Sequence, residues 1–392
     1  METTAALEGL ECTATGERFD AGTSHHPDGG VLDPVYDYGA IDVDPAEMGT
    51  LAGYADLLPF PRNRLVSLGE GTTPLVEAPR LAEELGIGRV LIKDEGINPT
   101  GTFKDRGLAL SVTAAAEHGA DRAALSSTGN SAQSAAAYAA RAGLDSQAFL
   151  PSRSTFANKA MVNVHGGDMR VVEGRLTDAR EAFREGLAGH GPESDDPWYS
   201  VEPFDSPYRH EGAKPVMFET LAALDFEPPA AVLYPFEGGA GLYGLYKAAR
   251  ECRELGLLEE LPPLYACQSE GCAPVVEAFE AGRDSTEPWE VPDTVCGGLE
   301  IPDPRGSDLV LEALRETGGG AVAVDDDDIL ESAVAVNSRE GVESGVSAGA
   351  APAAAWALAE EFGPEDTLVL VNTAAGGKDA DLLRSHLMGQ GY

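Results

Sequence analysis

Asn98-Pro-Thr-Gly-Thr-Phe-Lys-Asp-Arg-Gly107 joins two segments with different patterning. Before it, Arg89-Val-Leu-Ile-Lys93 is a short apolar run that reads as a strand; after it, Leu108-Ala-Leu-Ser-Val-Thr-Ala-Ala-Ala-Glu117 reads as a helix. Lys104 therefore falls on a strand–turn–helix corner. A lysine held there can sit close to a bound aldehyde and form a Schiff base with it. A solvated loop lysine paired with Asp105 fits the same stretch, which alone does not choose between the two.

Two further corners carry glycine. Ala123-Ala-Leu-Ser-Ser127 enters Thr128-Gly-Asn-Ser131, which opens a small-residue helix to Ala142, stopped by Gly143. Ala231-Val-Leu-Tyr234 feeds Gly238-Gly-Ala-Gly241 and a helix to about Leu255. Amides at a helix start make a phosphate site, and glycine lets the anion approach closely. One lysine plus phosphate-binding turns suits pyridoxal phosphate, an aldehyde that carries a phosphate and acts as an electron sink. A dinucleotide site competes with this reading. Gly239-Ala-Gly-Leu-Tyr-Gly244 matches G-x-G-x-x-G after a strand, with Glu270 where a ribose-binding acid would sit. That alternative leaves the corners at Lys104 and Asn130 without a purpose.

The rest of the chain repeats the same unit. Helices are predicted over Pro79–Leu85, Asn158–Val164, Thr177–Leu187, Pro215–Leu224 and Pro274–Ala281. They alternate with strands at Gln147–Leu150, Met169–Val172, Trp198–Val201, Leu264–Ser269, Ala321–Val324 and Thr367–Val371. The acidic run Asp325–Asp328 is placed to cap a helix at the positive end of its dipole. Such alternation predicts an α/β fold of two domains with largely parallel sheets flanked by helices, ligands lying at the carboxyl ends of strands. Residues 1–38 stand apart. Cys12-Thr-Ala-Thr-Gly16 and His26-Pro-Asp-Gly-Gly30 have the punctuation of a zinc ribbon, but a structural zinc site takes four ligands and Cys12, His25 and His26 supply fewer. No metal is expected.

With 392 residues the chain is long enough for two cores, and no apolar run is long enough to span a bilayer. The N-terminus lacks a basic and an apolar signal region, and five scattered cysteines argue against a disulfide framework. Both point to the cytoplasm. The 27 basic and 66 acidic residues give a net charge of −39, which repels nucleic acid and anionic membranes. Only six basic residues are lysines: Lys93, Lys104, Lys159, Lys214, Lys247 and Lys378. A dispersed carboxylate surface poor in lysine suits concentrated salt, where screening reduces self-repulsion.

Four segments fall in the order seen in threonine synthases: the Lys104 motif, Ser127-Thr-Gly-Asn130, Pro207-Tyr-Arg-His-Glu-Gly-Ala-Lys214 and Thr373-Ala-Ala-Gly-Gly-Lys-Asp379. Gly69-Glu-Gly-Thr-Thr-Pro-Leu75 and Thr294-Val-Cys-Gly-Gly-Leu-Glu-Ile-Pro302 fit as well. Over nearly its whole length the chain resembles that family, a divergent, haloarchaeal-like member of the fold type II pyridoxal-phosphate enzymes. The resemblance implies a large cofactor domain of residues 39–107 and 208–392, a small domain of 108–207, and an N-terminal ribbon that has lost its ligands. It implies conversion of O-phospho-L-homoserine and water to L-threonine and phosphate by γ-elimination and β-addition. Lys104 would hold the cofactor and shuttle protons, with Thr128 beside it in the catalytic set. Asn130 would meet the ring's phenolic oxygen, Gly238, Gly239 and Gly241 the cofactor phosphate, and Thr373 the pyridine nitrogen. Ser131 would face the substrate, and Arg209 would bind its phosphate. The expected partners are a small amino-acid substrate and a second copy in a homodimer, with neither nucleic acid nor membrane.

Simpler roles exist for some of these residues. Thr128 and Ser131 could cap a helix, and Arg209 could be a surface ion-pair partner. His165 and His210 show no ligand spacing. The chain also departs from the family pattern on one side of the expected site. Pro235-Phe-Glu-Gly-Gly-Ala-Gly241 replaces Gly-Asn-Gly-Gly-Asn after Val-Pro-Val, Pro203-Phe204 replaces an Asn-Ser pair, and Ala374-Ala-Gly-Gly-Lys-Asp379 replaces Gly-x-Gly-Leu-Lys-Asp. A carboxylate at Glu237 would oppose a bound phosphate unless it points away or is protonated. A threonine/serine dehydratase, a cysteate-synthase-like β-replacement enzyme and a cofactor-binding relative without turnover therefore stay open.

Overall fold

The Ala231–Pro235 and Thr367–Asn372 runs are apolar almost without interruption, and all but Thr367 are buried. A strand hidden on both faces needs helices above and below, the pattern of a parallel sheet interior. These two strands form the centre of a six-stranded sheet in the order Gly320–Val324, Leu264–Ser269, Ala231–Pro235, Thr367–Asn372, Arg89–Asp94, Leu75–Glu77. Only the short edge strand Leu75–Glu77 runs antiparallel; the other pairings are parallel. A second sheet, Asp168–Val172, Asp145–Pro151, Arg122–Ser126, Trp198–Ser200, is parallel throughout. The fold is α/β with parallel-rich sheets and flanking helices. Computed as a structural model, the chain is described over residues 1–389.

It forms two compact units. One comprises Met1–Gly71 and Lys104–Pro215; the other comprises Thr72–Phe103 and the chain from Val216 onward. The chain passes between them at Phe103–Lys104, four residues before the expected division at 107, because the helix starts at Lys104 and runs unbroken to Glu117. The return comes at Pro215–Val216, beyond the expected 208. Residues 39–71 belong with the first unit.

The first unit packs Ala124, Phe149, Ala179, Ala182 and Phe183 between its parallel sheet and the helix Leu176–Gly189. The second buries Val90, Ile92, Leu233, Leu368 and Leu370 against Ile329, Ala351 and Ala354 from helices beside the sheet. Residues 1–38, read from the sequence only as an extension, hold a three-stranded antiparallel sheet: Arg18–Phe19, Leu7–Cys12, Leu32–Tyr36. Its strands are short, and Gly9 and Pro34 are residues that strands seldom use, which weakens the sequence signal. Among the described residues no helix is long and apolar enough to cross a membrane.

Candidate active site

In the first unit the expected residues gather around two helix starts. Lys104 is the first residue of its helix rather than part of the preceding turn, and Asp105 follows in the first turn, where a carboxylate is favoured by the helix dipole. Asp105 is fully buried and accepts a hydrogen bond from Ser134 Oγ at 2.5 Å. Ser134 belongs to the second helix, Asn130–Ala142, so the helix that begins with Lys104 is tied to the one that begins with Asn130. Gly129 enters that second helix at φ +150°, and a Cβ on it would lie 2.5 Å from Asn158 Nδ2. Only glycine fits there. Ser127 Oγ accepts from the amides of Gly129 (3.0 Å) and Ala132 (3.2 Å). The side chain that organises the turn is thus Ser127, and no side chain caps the helix through its Gly129 N-cap. That leaves Thr128 and Ser131 without the capping role considered for them.

Arg209 lies in this unit too, and it is not a surface residue. It is 4% exposed. One guanidinium nitrogen donates to Ser131 Oγ at 3.1 Å and another to the carbonyl of Val201. Its side chain passes so close to Gly107 that a Cβ there would lie 2.9 Å from Arg209 Nε. Gly107 is one turn along the helix from Lys104. The structure therefore brings Lys104, Asn130 and Ser131 onto two adjoining helices of one unit, with Arg209 reaching both from a turn.

In the second unit the expected cofactor residues sit at strand ends. The adjacent parallel strands Arg89–Asp94 and Thr367–Asn372 both lead into turns, and the turns are stitched together. The amide of Phe103 donates to the Thr373 carbonyl at 3.0 Å, Ala375 N to Gly101 O at 3.0 Å, and Lys378 Nζ to Thr100 O at 2.8 Å. Thr373 is fully buried. At the end of Ala231–Pro235, Gly239 (φ +88°) leads into the helix Ala240–Glu254 and, like Gly129, is an N-cap that offers no side-chain cap. A Cβ on Gly238 would meet nothing within 4 Å, whereas one on Gly241 would overlap the Tyr234 hydroxyl. Gly238 borders open space. Gly241 is glycine because Tyr234 packs against it.

Glu237, just before this turn, is buried, and its carboxyl carbon would lie 3.7 Å from a Cβ on Gly298. It is close enough to Asp379 to act on it. Burial raises the Asp379 carboxyl above the usual range, the Val346 amide and Lys378 oppose that shift, and Glu237 adds to it. Glu237 thus extends toward Gly298 and Asp379.

Sequence reasoning missed two buried ionic groups. Lys93, one of the six lysines, is 1% exposed and pairs with Glu219 at 2.6 Å, and Glu219 also accepts from the amides of Thr72 (2.9 Å) and Thr73 (3.2 Å). The pair holds the Gly-Thr-Thr-Pro turn. In the first unit, His210, Glu211 and Lys214 are fully buried alongside Asp33. Asp33 and His210 lie 177 positions apart, so no spacing in the sequence could have revealed them.

Residues 66–374 match the family model described as pyridoxal-phosphate-dependent enzyme. The chain is 34% identical over 380 residues to a threonine synthase of Methanosarcina acetivorans, covering 95% of this chain and 92% of that one. It is 32% identical over 364 residues to a threonine synthase of Methanocaldococcus jannaschii, covering 90% and 88%. The chain belongs to the threonine synthase family. Solved structures with the same fold include a fungal L-serine ammonia-lyase from Rhizomucor miehei, at TM-score 0.69 and 20% identity over 81% of this chain and 97% of that one. Maize serine racemase gives TM-score 0.66 at 19% identity, covering 90% of this chain and 100% of that one.

Members of the threonine synthase family depend on pyridoxal phosphate, and the residues present here fit that group. The amide oxygen of Asn130 and the hydroxyl of Thr373 are buried and have no hydrogen-bond partner in the protein. Unsatisfied buried polar atoms cost about 1–3 kcal/mol each, so each of the two, within its own unit, suits a position that a polar ligand completes. The uncapped helix start beside open Gly238 suits a phosphate.

Proposed function

We propose that this protein is a threonine synthase, converting O-phospho-L-homoserine and water to L-threonine and phosphate. Similarity to threonine synthases across 95% of the chain supports the reaction class. The observation that carries the phosphorylated substrate is Arg209: a buried guanidinium held against the Lys104 helix and bonded to Ser131. A dehydratase acting on free threonine or serine has no substrate phosphate for such a group to bind.

Bound pyridoxal phosphate supplies the electron sink that makes the Cα and Cβ protons of the substrate acidic. In this reading Lys104 holds the cofactor and moves protons at Cα and Cβ. Arg209 neutralises the phosphate as the Cγ–O bond breaks, through charge-assisted hydrogen bonds that strengthen as charge develops. Thr128 and Ser131 face the substrate and orient it. Thr373 offers a hydroxyl rather than a carboxylate to the ring nitrogen, which leaves that nitrogen neutral. Asn130 binds the phenolic oxygen, and Gly238, Gly239 and Gly241 line the cofactor phosphate.

The same reading places the protein in the cytoplasm of a salt-loving cell, as a homodimer. Its surface chemistry supports the salt part: three of the six lysines are buried and the other three are only partly exposed, so arginine supplies most of the exposed positive charge. All five cysteines are buried. Product analysis in high salt tests the assignment. Threonine and phosphate from O-phosphohomoserine are expected; a ketoacid from threonine or serine with no phosphate release would replace the reading by a dehydratase. Dialysis to low salt should cost structure and activity, and light scattering should report a dimer.

A further inference from the structure

The residues on either side of Arg209 are both anchored to the N-terminal segment. Before it, the Tyr208 hydroxyl donates to the carbonyl of Ala21, and the Tyr208 ring packs on Phe60 with centroids 4.9 Å apart. After it, His210 Nε2 lies 2.7 Å from Asp33 Oδ1. Glu211 then accepts from the Tyr36 hydroxyl at 2.5 Å and pairs with Lys214 at 2.8 Å, while the Lys214 ammonium sits 4.4 Å from the centre of the Tyr36 ring. Asp33 and Tyr36 both belong to the strand Leu32–Tyr36 of the small antiparallel sheet. The peptide of Arg209 is thus suspended between two points on residues 1–38. Phe204, at φ +61°, stacks on His210 with centroids 5.7 Å apart. A phenylalanine in that conformation costs about 1–3 kcal/mol, and persists where the surroundings hold it.

Asp33, His210 and Glu211 each offer one ligand atom within 4.8 Å of the others, a set that can hold a cation. The buried Lys214 ammonium already supplies positive charge there, so an ionic clasp explains the cluster without a metal.

We propose that the N-terminal sheet is a positioning element for Arg209, with Asp33, Tyr36 and His210 fixing the guanidinium where it receives the phosphate of the substrate. The proposal rests on the reading of Arg209 as the phosphate-binding group. None of these three residues touches the reacting atoms. They act through the backbone of the Tyr208–Glu211 segment.

The test uses the holoenzyme in high salt, with inorganic phosphate as the probe of the anion site. Asp33→Ala should raise both KM for O-phosphohomoserine and the inhibition constant of phosphate about tenfold and lower kcat as well, because Arg209 also meets the charge that develops as the Cγ–O bond breaks. Asp33→Asn keeps an acceptor for His210 and should restore most of these losses. Cofactor affinity, read by absorbance titration, should stay at the wild-type value in each variant. Tyr36→Phe, which loses one hydroxyl and keeps the ring under Lys214, should shift KM and the phosphate constant in the same direction by less, and remains informative should Asp33→Ala fail to fold. Wild-type KM and phosphate inhibition in both variants, alongside a large rise in Arg209→Ala, would overturn the clasp and leave the Arg209 reading intact. Unchanged phosphate inhibition in Arg209→Ala would instead remove Arg209 from the anion site. A parallel loss of cofactor binding and melting temperature in Asp33→Ala, without rescue by Asp33→Asn, would reduce the clasp to a folding element.

Discussion

Gly129 and Gly239 each turn a strand into a helix at a φ that most side chains avoid, yet different things stand behind them. Behind Gly129 lies Asn158, close enough to exclude any side chain, and Ser127 takes up two of the turn's amides. Beside Gly239, the position at Gly238 borders open space, and the residue before the turn is a buried carboxylate, Glu237. The first turn is specified by its own protein surroundings. The second has no cap from the side chain of its N-cap residue, and it is one of the places where the sequence departs from the expected family pattern. A turn built by packing has little freedom to vary. A turn completed by a ligand can change its side chains as long as the amides keep their aim.

The largest effect should come from Lys104, the proposed cofactor lysine. Lys104→Ala should lower kcat/KM by about 10³-fold or more, since it removes both the covalent attachment and the proton carrier. Borohydride treatment followed by peptide mass analysis should add the cofactor's mass to the Lys104 peptide of the wild type. Label on another lysine would displace Lys104.

The two turns should then respond in opposite ways to the same small change. Gly129→Ala should destabilise the fold by about 1–3 kcal/mol, from backbone strain and the Asn158 clash. Gly238→Ala should change stability by about 0.5 kcal/mol or less while weakening cofactor binding about tenfold. Denaturation of the apoprotein and absorbance titration measure the two effects separately. Equal stability losses would erase the contrast.

Much of this was legible in the sequence. The apolar strands Leu264–Ser269 and Thr367–Val371 announced parallel interior strands, and glycine after strand marked the helix starts. Lys104 and Asn130 could be placed at helix starts because local motifs mark them. What stayed hidden depends on distant partners. Asp33 meets His210, and Lys93 meets Glu219 across 126 positions. The edge strand Leu75–Glu77 has only three residues, too few for any period to show. The direction of Glu237 was equally beyond reach, since it depends on Gly298 and Asp379.

Glu237 gives a smaller test. Glu237→Gln removes a negative charge near the second turn and should tighten cofactor binding about threefold, by a Coulomb term damped at high salt. Weaker binding would show that the carboxylate serves the turn.

The smallest expected effect is on acid stability. Burial is the main cause that raises Asp379, and burial likewise raises Asp94, so the folded chain keeps these protons at a pH where the unfolded chain has released them. Stability from these groups is then present at pH below their ordinary values near 3.8 and falls as pH rises through their raised values. Asp379→Asn still offers an oxygen to the Val346 amide and should flatten part of that fall. The difference in melting temperature between variant and wild type, followed across acidic pH, should widen in favour of the variant as pH rises. A constant difference would show that Asp379 does not titrate in that window.

The central claim concerns which bond breaks. A threonine synthase cleaves the Cγ–O bond, so the bridging oxygen leaves with phosphate and the oxygen of water ends on Cβ. Turnover of O-phosphohomoserine in ¹⁸O-water should place one ¹⁸O in the hydroxyl of threonine and none in the released phosphate. Label in the phosphate, or phosphate release without labelled threonine, would contradict the account.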